Sequence, residues 1–171
     1  MKYTIRNSTH LTASKSDVWQ WITSIDGISK EMSPYLRMSS PRGVTSLATI
    51  DFTPGKRLFR SWILFLKIVP IDYSDLTLES LDEGAGFVEQ SKMGSMRSWR
   101  HVRSISADKE GCILTDEVSF EPKFAGPILS KVIAAFFNHR HRRLSKYLAA
   151  AKQFHLVSSP SHKICIRPIQ R

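Results

Sequence analysis

From Leu58 to Glu121 the chain runs through one apolar or alternating segment after another, each bounded by turn residues, and then a single helical pattern extends to about Gln153. Nothing else in the sequence limits the fold as much. The segments are Leu58–Val69, Tyr73–Leu81, Phe87–Met93, Arg97–Ser106 and Cys112–Glu121. Between the later ones stand Asp82-Glu83-Gly84-Ala85-Gly86, Gly94-Ser95 and Asp108-Lys109-Glu110-Gly111. Connections this short join antiparallel neighbours, because a parallel return needs a crossover of about a dozen residues or more. Pro122 closes the strand region, and Gly126-Pro127 opens the helix with proline at a permitted first-turn position.

Ahead of this region, Lys2–Leu11 alternates as a first strand. Ser14 or Ser16 can cap a helix with the apolar stripe Val18, Trp19, Ile22 and Ile25; Asp26-Gly27 is expected to break it, with a second short helix over Ile28–Leu36 stopped near Pro34. Pro41-Arg42-Gly43 and Pro54-Gly55 read as turns around a short strand, Val44–Phe52, and Trp19 and Trp62 read as core. Strand, two short helices, antiparallel strands and a long helix make an α+β domain. Residues 1–153 are expected to form it, with 154–171 a basic C-terminal tail, mobile or loosely docked.

The 171-residue length suits one domain, and the 42% hydrophobic content excludes a disordered chain. Cys112 and Cys165 are too few for a disulfide framework and have no metal-ligand spacing. His139, His141, His155 and His162 have no cysteine or carboxylate at usable spacing, so no metal is expected, and with no P-loop or dinucleotide fingerprint no cofactor is expected either. No stretch reaches the roughly 18 apolar residues of a membrane-crossing helix. The polar start, Met1 to Asn7, lacks the apolar core of a signal peptide, so a cytoplasmic protein is expected. The +10 net charge is uneven: the 15 acidic side chains all precede Pro122, whereas Lys123 through Arg171 includes ten basic ones. Such a segment is a solvated helix face with a basic tail, or a contact for an anionic membrane or nucleic acid. Nucleic acid is not the expected partner, because Phe137 and Tyr147 face inward rather than offering stacking platforms.

The last hairpin names candidate residues. Pairing Ala107 with Cys112 sets Ile105 opposite Leu114, Arg103 opposite Asp116, His101 opposite Val118 and Trp99 opposite Phe120, all on one largely apolar face. A three-residue loop Gly94-Ser95-Met96 adds Ser91 opposite Trp99, Glu89 opposite His101 and Phe87 opposite Arg103; a two-residue loop shifts this register by one. Arg103–Asp116 reads as an ion pair fixing register, and Glu89–His101 as a hydrogen bond or a proton-moving pair. On the long helix, Leu129, Val132, Ile133, Phe136, Phe137, Leu144, Tyr147 and Ala151 form an apolar face with Arg140 at its centre. Arg140 then reaches toward the sheet, either to pair with Glu89 or Asp116, to snorkel to solvent, or to anchor an anionic group of a ligand.

Phe87-Val88-Glu89 followed by Gly94, then Trp99-x-His101-x-Arg103, Leu114-x-Asp116-x-Val118 and a closing helix resemble the SRPBCC proteins of the START-like superfamily. That group includes the birch-pollen-allergen fold and the polyketide cyclase/dehydrase proteins. The resemblance implies a helix-grip fold: a curved antiparallel sheet around the long C-terminal helix, with an apolar cavity between them.

Binding of a hydrophobic or amphipathic small molecule, such as a lipid, polyketide or isoprenoid, is the leading expectation. Its wall would comprise Trp99, Val118, Phe120, Ile133, Phe136 and Phe137, with Glu89, His101, Arg103, Asp116 and Arg140 as polar contacts. A cyclase- or dehydratase-type enzyme using Glu89 and His101 as proton shuttle is the alternative, and peripheral contact with an anionic membrane a third. Oligomeric state is left open.

Overall fold

The computed structural model describes residues 1–157. Alternation at the N-terminus becomes strand β1 (Tyr3–Leu11), and Ser14 caps α1 (Lys15–Thr23) by accepting a hydrogen bond from the Asp17 amide. The next helix, α2 (Ile25–Met32), begins three residues earlier than the sequence suggests. Ser24 ends the first helix and caps the second, its hydroxyl accepting from the Gly27 amide at 2.8 Å. Gly27 lies inside α2 because the helix passes close to α1: a Cβ there would stand 2.2 Å from the Trp21 carbonyl oxygen.

A short strand β2 (Leu36–Met38) follows, and Val44–Phe52 is not the expected strand. Its Ser46 makes one bridge to Ser24 and then caps a single 3-10 turn, Leu47–Thr49, which buries Leu47. The long apolar run is a hairpin, β3 (Arg57–Phe65) and β4 (Val69–Asp82). It turns at Leu66 and Lys67, which have φ of 48° and 70°. Ser61, not Trp62, takes the inward position on β3, so Trp62 is a surface residue, 48% exposed, and not core.

The remaining strands are β5 (Gly86–Glu89), β6 (Lys92–Met93), β7 (Met96–Asp108) and β8 (Gly111–Pro122). All pairings are antiparallel, in the order β1-β8-β7-β5-β4-β3-β2, with β6 beside β4. The β7–β8 register is the expected one, from Ala107 opposite Cys112 to Trp99 opposite Phe120. Glu89 faces His101 and Phe87 faces Arg103, as the three-residue loop requires. Ser91, however, has left the ladder: β5 lies between β4 and β7, and after Glu89 the chain keeps its pairing with β4 alone, through β6.

Helix α3 (Gly126–Val157) closes the curled sheet, giving the α+β helix-grip arrangement. It runs beyond Gln153, so of the expected tail 154–171 only 158–171 lies outside the described residues. The core divides into two apolar clusters. Leu78, Phe87, Ile105, Leu114 and Leu144 belong to one; Met96, Val118, Phe120 and Phe137 belong to the other. Between them, at corresponding positions on β7, β8 and α3, lie His101, Arg103, Asp116, Arg140 and His141, all buried.

Candidate functional site

A carboxylate without counter-charge could not occupy this interior, since the effective penalty of burying an ion is several kcal/mol. Asp116 avoids that by accepting four hydrogen bonds. Its Oδ1 accepts from Arg103 Nε at 2.7 Å and His101 Nε2 at 2.8 Å; its Oδ2 accepts from Arg103 Nη2 at 2.8 Å and His141 Nε2 at 2.9 Å. The other edge of Arg103 meets Glu31, whose Oε2 accepts from Nη1 and Nη2 at 3.1 Å each. Arg140 donates to the same Oε2 from Nε at 3.1 Å and from Nη2 at 2.8 Å. Glu31, Arg103 and Asp116 are each no more than 1% exposed. The sequence offered Glu89 or Asp116 as partners for Arg140; the structure supplies Glu31 instead.

The same contacts set the protonation states. Burial opposes ionisation of Asp116, but the Arg103 and His101 charges, with hydrogen bonds from His101 and His141, hold its carboxyl well below the usual range. Burial likewise opposes the charged form of His101, yet Asp116 and Glu89 outweigh it and raise the imidazole above its ordinary value. Its Nδ1 stands 3.6 Å from Glu89 Oε2, an ion-pair distance too long for a good hydrogen bond. Glu89 is held from its other side, accepting from Ser91 Oγ at 2.5 Å.

This layer forms one end of an apolar cavity of about 200 Å³ between the sheet and α3, lined by Trp99, Ile133, Phe136, Phe137, Glu89, His101 and Arg140 among others. A smaller lobe of about 70 Å³ lies toward β3 and α2, and Met38, Glu89, His101 and Arg140 belong to both walls. The other four residues expected at the site stand behind the wall. Arg103 and Asp116 are locked in the ion network, and Val118 and Phe120 are fully buried in the second core cluster.

Sequence reasoning missed Glu31, Thr9, His141 and Ser74. On α2, Glu31 lies between Ile28 and Met32 on the inner face, where a lone carboxylate among apolar positions gave no sign of its partners. His141 was considered only as a metal ligand, yet it bridges Asp116 and the Thr9 hydroxyl. Ser74 shares the inner phase of β4 with Leu76 and Leu78, so alternation alone could have marked it. It lines the larger lobe, is 2% exposed, and its Oγ has no hydrogen-bond partner among the described residues. An unpaired buried hydroxyl costs about 1–3 kcal/mol.

A family model described as "Domain of unknown function (DUF8410)" matches residues 9–148. No curated protein matches the sequence. Among solved structures, protein CV1439 from Chromobacterium violaceum is similar at a TM-score of 0.65 and 12% identity, covering 85% of this chain and 96% of its own. A START superfamily protein from Mycobacterium smegmatis has a TM-score of 0.62 at 10% identity, with 86% and 98% covered. Ara h 8.0201 has a TM-score of 0.62 at 11% identity, with 88% and 99% covered. At such identities the likeness is one of fold, and it is the START-like fold that the residue pattern resembles.

Proposed function

The chain belongs to the DUF8410 family, and we propose that it binds a hydrophobic or amphipathic small molecule in the cavity between its sheet and C-terminal helix. The observation that carries this reading is the 200 Å³ space with a largely apolar lining and a few polar side chains. Interiors are otherwise packed with few voids larger than a water molecule, and a few polar groups in an apolar pocket are what orient a small ligand. The START-like neighbours support the same reading, since that superfamily is one of ligand-binding folds.

Size narrows the class. An engineered cavity of about 150 Å³ accommodates benzene, so the larger lobe suits a monocyclic aromatic or a short isoprenoid better than a long-chain lipid. The catalytic alternative has less behind it. His101 donates through Nε2 to Asp116 and its Nδ1 faces Glu89, two carboxylates that favour the charged imidazole and so weaken it as a proton acceptor.

Native mass spectrometry of freshly purified full-length protein tests the proposal. A stoichiometric adduct that is released on denaturation and proves to be a small apolar molecule is the expected result. A ligand-free mass that persists after incubation with small aromatics and terpenoids would count against it.

A further inference from the structure

The polar side chains around the larger lobe are nearly all engaged within the protein. Asp72 accepts from the Ser95 amide and hydroxyl, and Glu89 accepts from Ser91. Arg140 spends its Nε–Nη2 edge on Glu31, and His101 is bonded to Asp116. Ser74 differs. Its hydroxyl is buried and unpartnered, opposite Met93 in the ladder and in a wall that includes Ile71, Trp99 and Ile133.

We infer that the cavity selects an uncharged, compact hydrophobic molecule carrying a hydroxyl or carbonyl oxygen, and that Ser74 Oγ is the hydrogen-bonding anchor for that oxygen. The inference deepens the binding reading above and rests on it. A hydroxyl with no partner among the described residues gains a direct hydrogen bond when such a ligand is present. Serine can donate to a carbonyl or exchange a hydrogen bond with an alcohol or phenol, so either oxygen satisfies it. Charge excludes the acids. The carboxylates of Asp72 and Glu89 both face the lobe, while the guanidinium that would offset a ligand carboxylate is neutralised by Glu31. A cavity of 200 Å³ sets the size, on the order of ten non-hydrogen atoms by comparison with the benzene-sized cavity above.

Isothermal titration of the full-length protein with 4-propylphenol, propylbenzene and 4-propylbenzoate separates these contributions. The phenol is expected to bind roughly fivefold more tightly than propylbenzene, the return for one hydrogen bond, and the benzoate more weakly than the phenol. Ser74→Ala should bring the phenol-to-propylbenzene ratio close to one while leaving propylbenzene affinity intact, which also shows that the variant is folded. Ser74→Cys, with a weaker donor of similar size, should give an intermediate ratio. A ratio unchanged in Ser74→Ala, or a benzoate that binds best, would overturn the inference. Equal binding of all three probes would overturn it and leave the broader binding reading standing, whereas failure of all three to bind would remove both.

Discussion

His101 carries a pH dependence whose sign follows from its surroundings. Asp116 and Glu89 face it as carboxylates, Arg103 lies beside it as a cation, and the rings of Phe87 and Phe137 stand at 5.6 and 5.2 Å. Its raised folded-state value means that the charged imidazole stabilises the fold fully below the unfolded value of about 6.5. That contribution is lost as pH rises through the folded value. Asp116 behaves oppositely: its depressed value contributes stability above the unfolded value of about 3.9, lost as pH falls through the folded one. Urea unfolding between pH 4 and 9 should therefore show stability greatest at mildly acidic pH and falling above neutrality. His101→Gln, which keeps a donor for Asp116 but cannot titrate, should flatten the fall above neutrality. An unchanged slope in that variant would mean that another group governs it.

At the scale of elements, the junction of α1 and α2 shows how a local sequence signal can point the wrong way. Asp26-Gly27 has the composition of a helix break, yet Gly27 is helical, and its missing side chain admits the Trp21 carbonyl. Gly27→Ala should therefore destabilise the protein, despite alanine's higher helix propensity, by about 1–3 kcal/mol as in other overpacked sites. A gain in thermal midpoint would show that the two helices can part at little cost. The same limit explains the β3–β4 turn, where Leu66 and Lys67 take positive φ without the glycine or asparagine that normally marks such a hairpin. It explains Trp62 as well, because an unbroken apolar run conceals which alternate residues face inward. What was legible came from strict alternation bounded by clear turns. The β7–β8 register and the inward placement of Arg140 followed from period and loop length, whereas the Glu89–His101 pairing was one of two registers that the sequence left open. Glu31 was not legible, because the partner of a buried guanidinium is chosen by tertiary proximity across 72 or 109 residues of chain.

For the whole molecule, the interior must hold a charged layer and an unfilled apolar space in the same small core. The layer is close to neutral when His101 is protonated, with Arg103, Arg140 and His101 set against Glu31, Asp116 and Glu89. It ties α2, α3, β5, β7 and β8 together, so the walls of the cavity are held apart by directional bonds rather than by a filler. Such a frame can keep 200 Å³ open, although unfilled space beside apolar side chains forgoes packing contacts. A bound ligand would recover part of that loss, and so would a larger side chain. Ile133, which projects from α3 into the larger lobe, is the position to enlarge. Ile133→Phe is expected to raise the thermal midpoint of the ligand-free protein by a few degrees, on the order of 1 kcal/mol, and to abolish any adduct seen by native mass spectrometry. A variant that becomes more stable yet retains its adduct would place the ligand outside this lobe. One that loses stability would mean that the frame, not the empty volume, sets the packing around Ile133.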